Sequence, residues 1–247
     1  MNMTQRFHHL VVGAVVSTNL LLAVPVLAQD TPATEEEEFF EFDEGEPVAT
    51  ISDPFESINR VIFDFNDKFY RYAAKPVARG MRVIPVPVRR SFANFFSNLY
   101  APMSAVSALL QGDIHNAGTE LGRFALNTTA GLAGFLDPAT DVGLIQDEED
   151  LGQTLARWGV GQGPYLMVPL YGSTSVRDAL GAAANNDQNP LFENLEGDQV
   201  IAINVTQAEV LLSLDEDTYE AFYESSIDPY VFFRSAWVQS RQGRVDE

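Results

Sequence analysis

Residues 53–66 read "DPFESINRVIFDFN", and the way this stretch folds decides what kind of protein the chain is. It opens as helices open: Asp53 is placed to cap, Pro54 suits the first helical position, and Glu56 stands where a capping box wants its carboxylate. Phe55, Ile58, Ile62, Phe65, Phe69 and Tyr72 then step by three and four, the spacing of one helical face. Val61, Phe63 and Tyr70 add a second apolar flank, and Asn59, Asp64, Asn66, Asp67 and Lys68 share what remains. A helix apolar over so much of its circumference is either buried or embedded in lipid.

Working outward from that stretch, residues 54–83 predict one or two amphipathic helices. Pro85 and Pro87 predict a break and a short extended segment. Helix is expected again from about Val88, with Phe92, Phe95, Phe96 and Leu99 on its apolar face, restarting at Pro102 and stopping at Gly112. Asp113 is placed to cap a further helix in which Gly118, Gly122, Gly131 and Gly134 recur among Ala, Leu and Phe. Small residues at that spacing let helices approach closely, in lipid or in a soluble core. Glu120 and Arg123 within it need water, each other or a polar cavity. An acidic turn-rich loop, Asp147 to Asp150 included, reads as solvated, and "LGQTLARW" as a short helix ended by Gly159.

Residues 159–181, "GVGQGPYLMVPLYGSTSVRDALG", hold too many glycines and prolines for continuous helix until their last third, and predict an ordered apolar loop or short hairpin. Helices are expected at "SVRDALGAAAN", "VIAINVTQAEVLLSL", "TYEAFYESS" and "DPYVFFRSAWVQSRQ", although Ile201, Ile203 and Val205 alternate as in a strand. The expectation is a mostly α fold in a single domain over residues 52–240, with a C-terminal tail at 241–247.

The N-terminus carries Arg6, an apolar run from Leu10 to Leu27 and small residues around Ala28, the pattern of a secretory signal peptide at 1–28; an uncleaved anchor is the alternative. Residues 30–56 hold eleven acids and no base, so 29–51 reads as an acidic disordered tether. A net charge of −20 argues against nucleic acid as a partner, since phosphate binding relies on clustered Lys and Arg. With Cys 0 in the composition, disulfides, thiol chemistry and cysteine-held metals are excluded for this sequence. Catalytic chemistry has little to build on. His115 is the sole histidine after the leader, there is no G-x-S-x-G or H-E-x-x-H, "LDEDTYE" lacks calcium-loop spacing, and "GVGQG" lacks a following Lys-Ser/Thr. No enzyme activity, metal or cofactor is expected. Wide apolar helices flanked by Arg60, Lys68, Arg71, Lys75 and Arg79 suit a protein that meets lipid without a simple span, with those bases on lipid phosphates; a compact soluble helical core is the alternative.

Taken together, "SDPFESINRVIFDFN", "KPVARGMRVIPVPVRRSFANFFSNLYAP", "ALLQGD", "RFALNTTAGLAGFLDPA", "LGQTLARWGVGQGPYLMVPLYGSTSVRD" and "SSIDPYVFFRSAW" resemble the MlaA/VacJ family of outer-membrane phospholipid-handling proteins, in order from Ser52 to Trp237. The resemblance implies a ring-like helical body in the inner leaflet of the outer membrane, on its periplasmic side, with a short apolar hairpin. It implies an amphipathic channel that takes phospholipids from the outer leaflet to a periplasmic carrier, MlaC, and association with a trimeric porin. A porin-associated scaffold that moves no lipid is the second reading, and a lipid hydrolase a weaker third. Carried over by motif, Phe63, Asp64, Phe65 and Asn66 match the segment near the channel's control point, with Asp64 where Asn is more usual. Gly163, Pro164, Tyr165, Pro169 and Tyr171 match the hairpin near the channel, and Glu120 and Arg123 are expected to face polar lumen or headgroups. Family members usually carry a lipidated cysteine, so the absence of cysteine here implies an unlipidated member held by its apolar body.

Overall fold

A computed structural model describes residues 51–215 and 217–246. The leader expected at 1–28 and nearly all of the tether expected at 29–51 lie outside the described residues.

The first helix, α1 (Glu56–Phe69), begins later than its Asp-Pro opening predicts, with Phe55 at the N-cap and no side-chain cap. Asp53 is engaged elsewhere. It accepts hydrogen bonds from Asn59 Nδ2 at 2.8 Å, from Arg234 Nη1 at 2.7 Å and from the Tyr230 hydroxyl. Charge-assisted bonds to an arginine outweigh a bond to a helix-end amide, so this carboxylate ties the chain start to the last helix. Glu56 likewise leaves the capping box and pairs with Arg60 at 2.8 Å.

The helix is also turned over relative to ordinary amphipathic packing. Asn59, 2% exposed, faces inward with Phe63, whereas Ile58, Val61 and Phe65 are 60%, 69% and 50% exposed. The stripe that predicts the buried face lies largely outside. A π-helical turn (Tyr70–Ala74) leads into α2 (Lys75–Met81), and Tyr70, Ala74 and Ala78 pack on Leu212 and Tyr219. Insertion of a π turn shifts the helical register. The outward surface continues through Tyr72, Val83, Ile84, Val86 and Val88, all exposed.

Helix α3 (Val86–Gln111) runs unbroken for 26 residues and does not restart at Pro102, which lies inside it. Pro85 is the N-cap and Pro87 sits in the first turn, where a missing N–H costs nothing, so these prolines start the helix rather than impose an extended segment. Beyond Pro102 the helix is held by packing along its length against α4 (Ile114–Thr129) and α8 (Gly197–Leu214). Gly112, at φ +87°, stops it as expected, and Asp113 caps α4 by accepting from Asn116 N at 2.8 Å. After the short α5 (Pro138–Asp141) and α6 (Leu151–Arg157) comes an antiparallel hairpin, β1 (Tyr165–Val168) and β2 (Gly172–Ser175), registered Tyr165 to Ser175 and Val168 to Gly172. Helices α7 (Val176–Gln188), α8, α9 (Thr218–Ser225) and α10 (Pro229–Asp246) complete the mostly α fold. The alternating residues 201–205 are therefore helical, and α10 continues past 240, with Arg241 buried, so no tail begins there. The carbonyl of Ser213 near the end of α8 accepts from buried Arg89, a cation at the negative end of a helix dipole. Among the described residues no helix is long and apolar enough to cross a membrane.

The glycines of the α4 pattern divide. Gly118 meets nothing within 4 Å, whereas Gly134, beyond the end of α4, is tight against α3, where a Cβ would stand 2.7 Å from Asn98 Cβ. A second tight approach, which the pattern does not predict, is between α6 and α7, where a Cβ at Gly181 would stand 2.6 Å from Gly152 Cα. Gly181→Ala is expected to cost about 2–4 kcal/mol by forcing two backbones apart. Gly118→Ala, into open space, is expected to be neutral or to stabilise by up to about 1 kcal/mol. Urea midpoints of the two variants and the parent, in one detergent, check both.

Candidate functional site

Among the described residues the sheet at 165–175 has two strands, so β1 presents an edge of N–H and C=O groups that must be satisfied. Two amides on α1 do this. Asn59 donates to the Tyr165 carbonyl at 3.2 Å and accepts from Met167 N at 2.9 Å. Two turns on, Asn66 donates to the Val168 carbonyl at 3.0 Å and accepts from Leu170 N at 2.8 Å. Tyr165 N donates to the Ser52 carbonyl at 2.8 Å. Side-chain amides thus take the place of a third strand. The Asn66 bonds fall on the turn itself, where Leu170 is held at φ +60°.

The other strand, β2, faces a cavity of about 160 Å³ bounded by α3, the acidic loop 148–150, α7, α8 and α10. Its wall carries an ion lattice. Arg241 binds both oxygens of Asp150 at 2.6 and 2.7 Å and reaches Asp178 Oδ1 at 2.8 Å, while Arg177 approaches Asp178 at 3.1 Å. Ser175 Oγ donates to Asp178 Oδ2 at 2.7 Å, linking the lattice to the end of the hairpin. Burial works against ionisation of Asp150, but the Arg241 guanidinium beside it holds the carboxyl below the usual range. Asp150 also completes a capping box with Gln153, so it is structured rather than solvated.

Among the sequence-predicted residues, Tyr171, 3% exposed, lines the cavity. Tyr165 is fully buried and donates to Ser173 Oγ at 2.8 Å; Pro169 is exposed at the tip; Gly163, at φ +72°, and Pro164 bring the chain into β1. Phe63 belongs to the core with Tyr165, Met167, Tyr230 and Trp237, whereas Asp64 and Phe65 lie on the outer surface of α1. Glu120 and Arg123 do not face a lumen or headgroups: they are 0% and 5% exposed beneath the loop that follows α4. Arg123 pairs with Asp137 at 3.0 Å and donates to Thr140 Oγ1 and the Leu144 carbonyl, and Glu120 accepts from Asp147 N at 3.0 Å. The flanking bases are mostly engaged too, Arg60 with Asp228, Arg71 with Asp67 and Lys75 with Glu220, leaving Lys68 and Arg79 without an ion pair among the described residues.

Sequence reasoning passed over Asp150, Asp178, Arg241 and Arg244 as site residues. Asp178 stood in the quoted "YGSTSVRD" motif without a role, and Arg241 and Arg244, three apart on one face of α10, were the available signal.

A family model described as MlaA lipoprotein matches residues 51–244. The chain belongs to that family. It is similar to the intermembrane phospholipid transport system lipoprotein MlaA of Escherichia coli (35% identity, covering 76% of each chain) and to that of Haemophilus influenzae (29%, covering 81% of this chain and 82% of that one). An uncharacterized Rickettsia typhi protein is 35% identical over 79% of this chain and 78% of its own. A solved chain from work on the structural basis for maintenance of bacterial outer membrane lipid asymmetry superposes with TM-score 0.66 at 35% identity, covering 78% of this chain and 99% of that chain. MlaA-family membership accounts for the ordered match of motifs from α1 to α10.

Asn66→Ala strips the hairpin turn of a donor and an acceptor; the amides of Val168 and of 170–172 are expected to exchange at least about tenfold faster, roughly the 1.4 kcal/mol of one net hydrogen bond, with α4 unchanged. Burial pushes the Glu120 carboxyl up to about 7, against the Asp147 N–H that favours its charge. A carboxyl raised on folding is stabilising while protonated, so stability is expected to fall between about pH 4.5 and 7 and level off above. Glu120→Gln is expected to flatten that slope and to gain about 1–3 kcal/mol at pH 8, read from unfolding midpoints across pH.

Proposed function

We propose that this protein removes mislocalised phospholipids from the outer leaflet of the outer membrane and releases them toward a periplasmic carrier of the MlaC type, maintaining lipid asymmetry. The names of the relatives support a phospholipid substrate. The observation that carries the reading is the inverted surface: α1 turns Ile58, Val61 and Phe65 outward while the interior holds a polar, ion-walled cavity beside a hairpin. An outward apolar surface suits acyl chains, and a polar interior suits headgroups. The protein sits in the outer membrane by that surface, without a lipid anchor, beside a trimeric porin. Passage requires no covalent step. Phe63 to Asn66 and the hairpin at 163–171 govern the opening, because Asn66 joins the membrane-facing helix to the turn.

The test compares surface-exposed phospholipid in cells lacking the gene and in cells with it restored. Loss is expected to raise exposed phospholipid, and restoration to lower it. An unchanged level with the protein folded in the outer membrane would favour a scaffold instead. Ile58→Asp with Val61→Asp is expected to shift the protein from the membrane to the soluble fraction, since each buried side chain loses about 2 kcal/mol of apolar transfer. Centrifugal fractionation and immunoblotting read this directly.

A further inference from the structure

The cavity wall is not electrically closed. Asp150 and Asp178 are matched by Arg177 and Arg241, two acids against two bases, and together they form a neutral lattice. What remains around the same cavity is Glu148, Glu149 and Arg244. Glu149 accepts from Gln111 Nε2 at 2.7 Å, and Glu148, exposed at the mouth, from Gln146 Nε2 at 2.7 Å and Ser97 Oγ at 3.2 Å; neither forms a salt bridge among the described residues, although Arg244 acts on Glu148 from further off. Arg244 makes no hydrogen bond or ion pair there either, and its Nε is buried without an acceptor. Arg241, only 4% exposed, also leaves its Nε without one. Burial raises the Glu149 carboxyl, and burial together with neighbouring Arg241 lowers the Arg244 guanidinium even though Asp150, Glu148 and Asp178 act on it from nearby, so neither group is fully compensated by the charges around it. Buried donors and charges of this kind are costly unless a partner supplies what is missing.

Resting on the lipid-handling reading above, we infer that this cavity selects a zwitterionic phospholipid headgroup, with its phosphate on Arg244 and its ammonium between Glu148 and Glu149. A phosphate diester offers unprotonated oxygens to the guanidinium N–H groups. A primary ammonium offers three donors to the two carboxylates. An anionic glycerol headgroup meets the same guanidinium but brings no cation, leaving both glutamates uncompensated. Discrimination therefore lies on the acidic side of the cavity and affinity on the basic side.

The experiment uses the full chain, delipidated in detergent and equilibrated with mixed micelles containing equal dioleoyl phosphatidylethanolamine and dioleoyl phosphatidylglycerol, with bound lipid quantified by mass spectrometry. Phosphatidylethanolamine is expected to be enriched at least about fivefold. Glu148→Gln with Glu149→Gln is expected to bring the ratio near one while total lipid stays close to the parent's; Glu148→Gln alone, at the exposed mouth, carries the test if the pair does not fold. Arg244→Gln is expected to lower binding of both lipids. Lipid bound without enrichment, or enrichment that survives the glutamate changes, overturns the headgroup assignment and leaves the transport reading standing. No lipid bound by the folded parent overturns both.

Discussion

The edge of a two-stranded sheet is the constraint on which the arrangement depends. A hairpin of eight paired residues cannot leave its inner edge unsatisfied in a protein interior, and among the described residues no third strand is supplied. Asn59 and Asn66 supply its bonds instead, seven residues apart on α1, each giving one donor and one acceptor to the backbone of β1 and its turn. The amides must face inward, so residues on the opposite side of the helix must face outward. Those residues are Ile58, just before Asn59, and Val61 and Phe65, between the two amides. The outward apolar stripe is thus a geometrical consequence of satisfying the sheet edge from a helix.

A second constraint is ionic. Asp150 at the start of α6, Asp178 in α7 and Arg241 in α10 converge across the glycine contact of residues 152 and 181. A side chain at either glycine would enter this space: a Cβ at Gly152 would lie 2.6 Å from Asp178 Oδ1. Buried ion pairs often contribute little net stability, because desolvation offsets attraction, but removing one partner is expensive. Such a lattice therefore defines a unique wall more than it strengthens the fold. It fixes the cavity behind the hairpin while the amide clamp fixes the hairpin in front.

The two constraints meet in the hairpin. Its turn is bonded to the helix whose other face is apolar, and its second strand reaches the lattice through Ser175 and Asp178. A displacement of α1 at its apolar surface is thereby mechanically joined to the polar cavity. That connection gives the lipid-handling proposal a physical route through named bonds.

Much of this was legible in the amino-acid sequence. Local signals carried the helices: Asp113 capped, Gly112 and Gly159 stopped, and the glycine-rich 159–175 stretch became a hairpin, because turn and cap chemistry acts over a few residues. Family motifs were legible for the same reason, being strings. What the tertiary structure decided was which partner each group chose. Asp53 left its cap for Arg234 and Tyr230, more than 170 residues away, and Glu120 and Arg123 turned to the following loop rather than to a lumen. Above all, periodicity identified the apolar stripe of α1 but not the direction it faces. Spacing along a chain encodes a face, whereas inside and outside are set by long-range hydrogen bonds, here from two asparagines to the edge of a strand a hundred residues on.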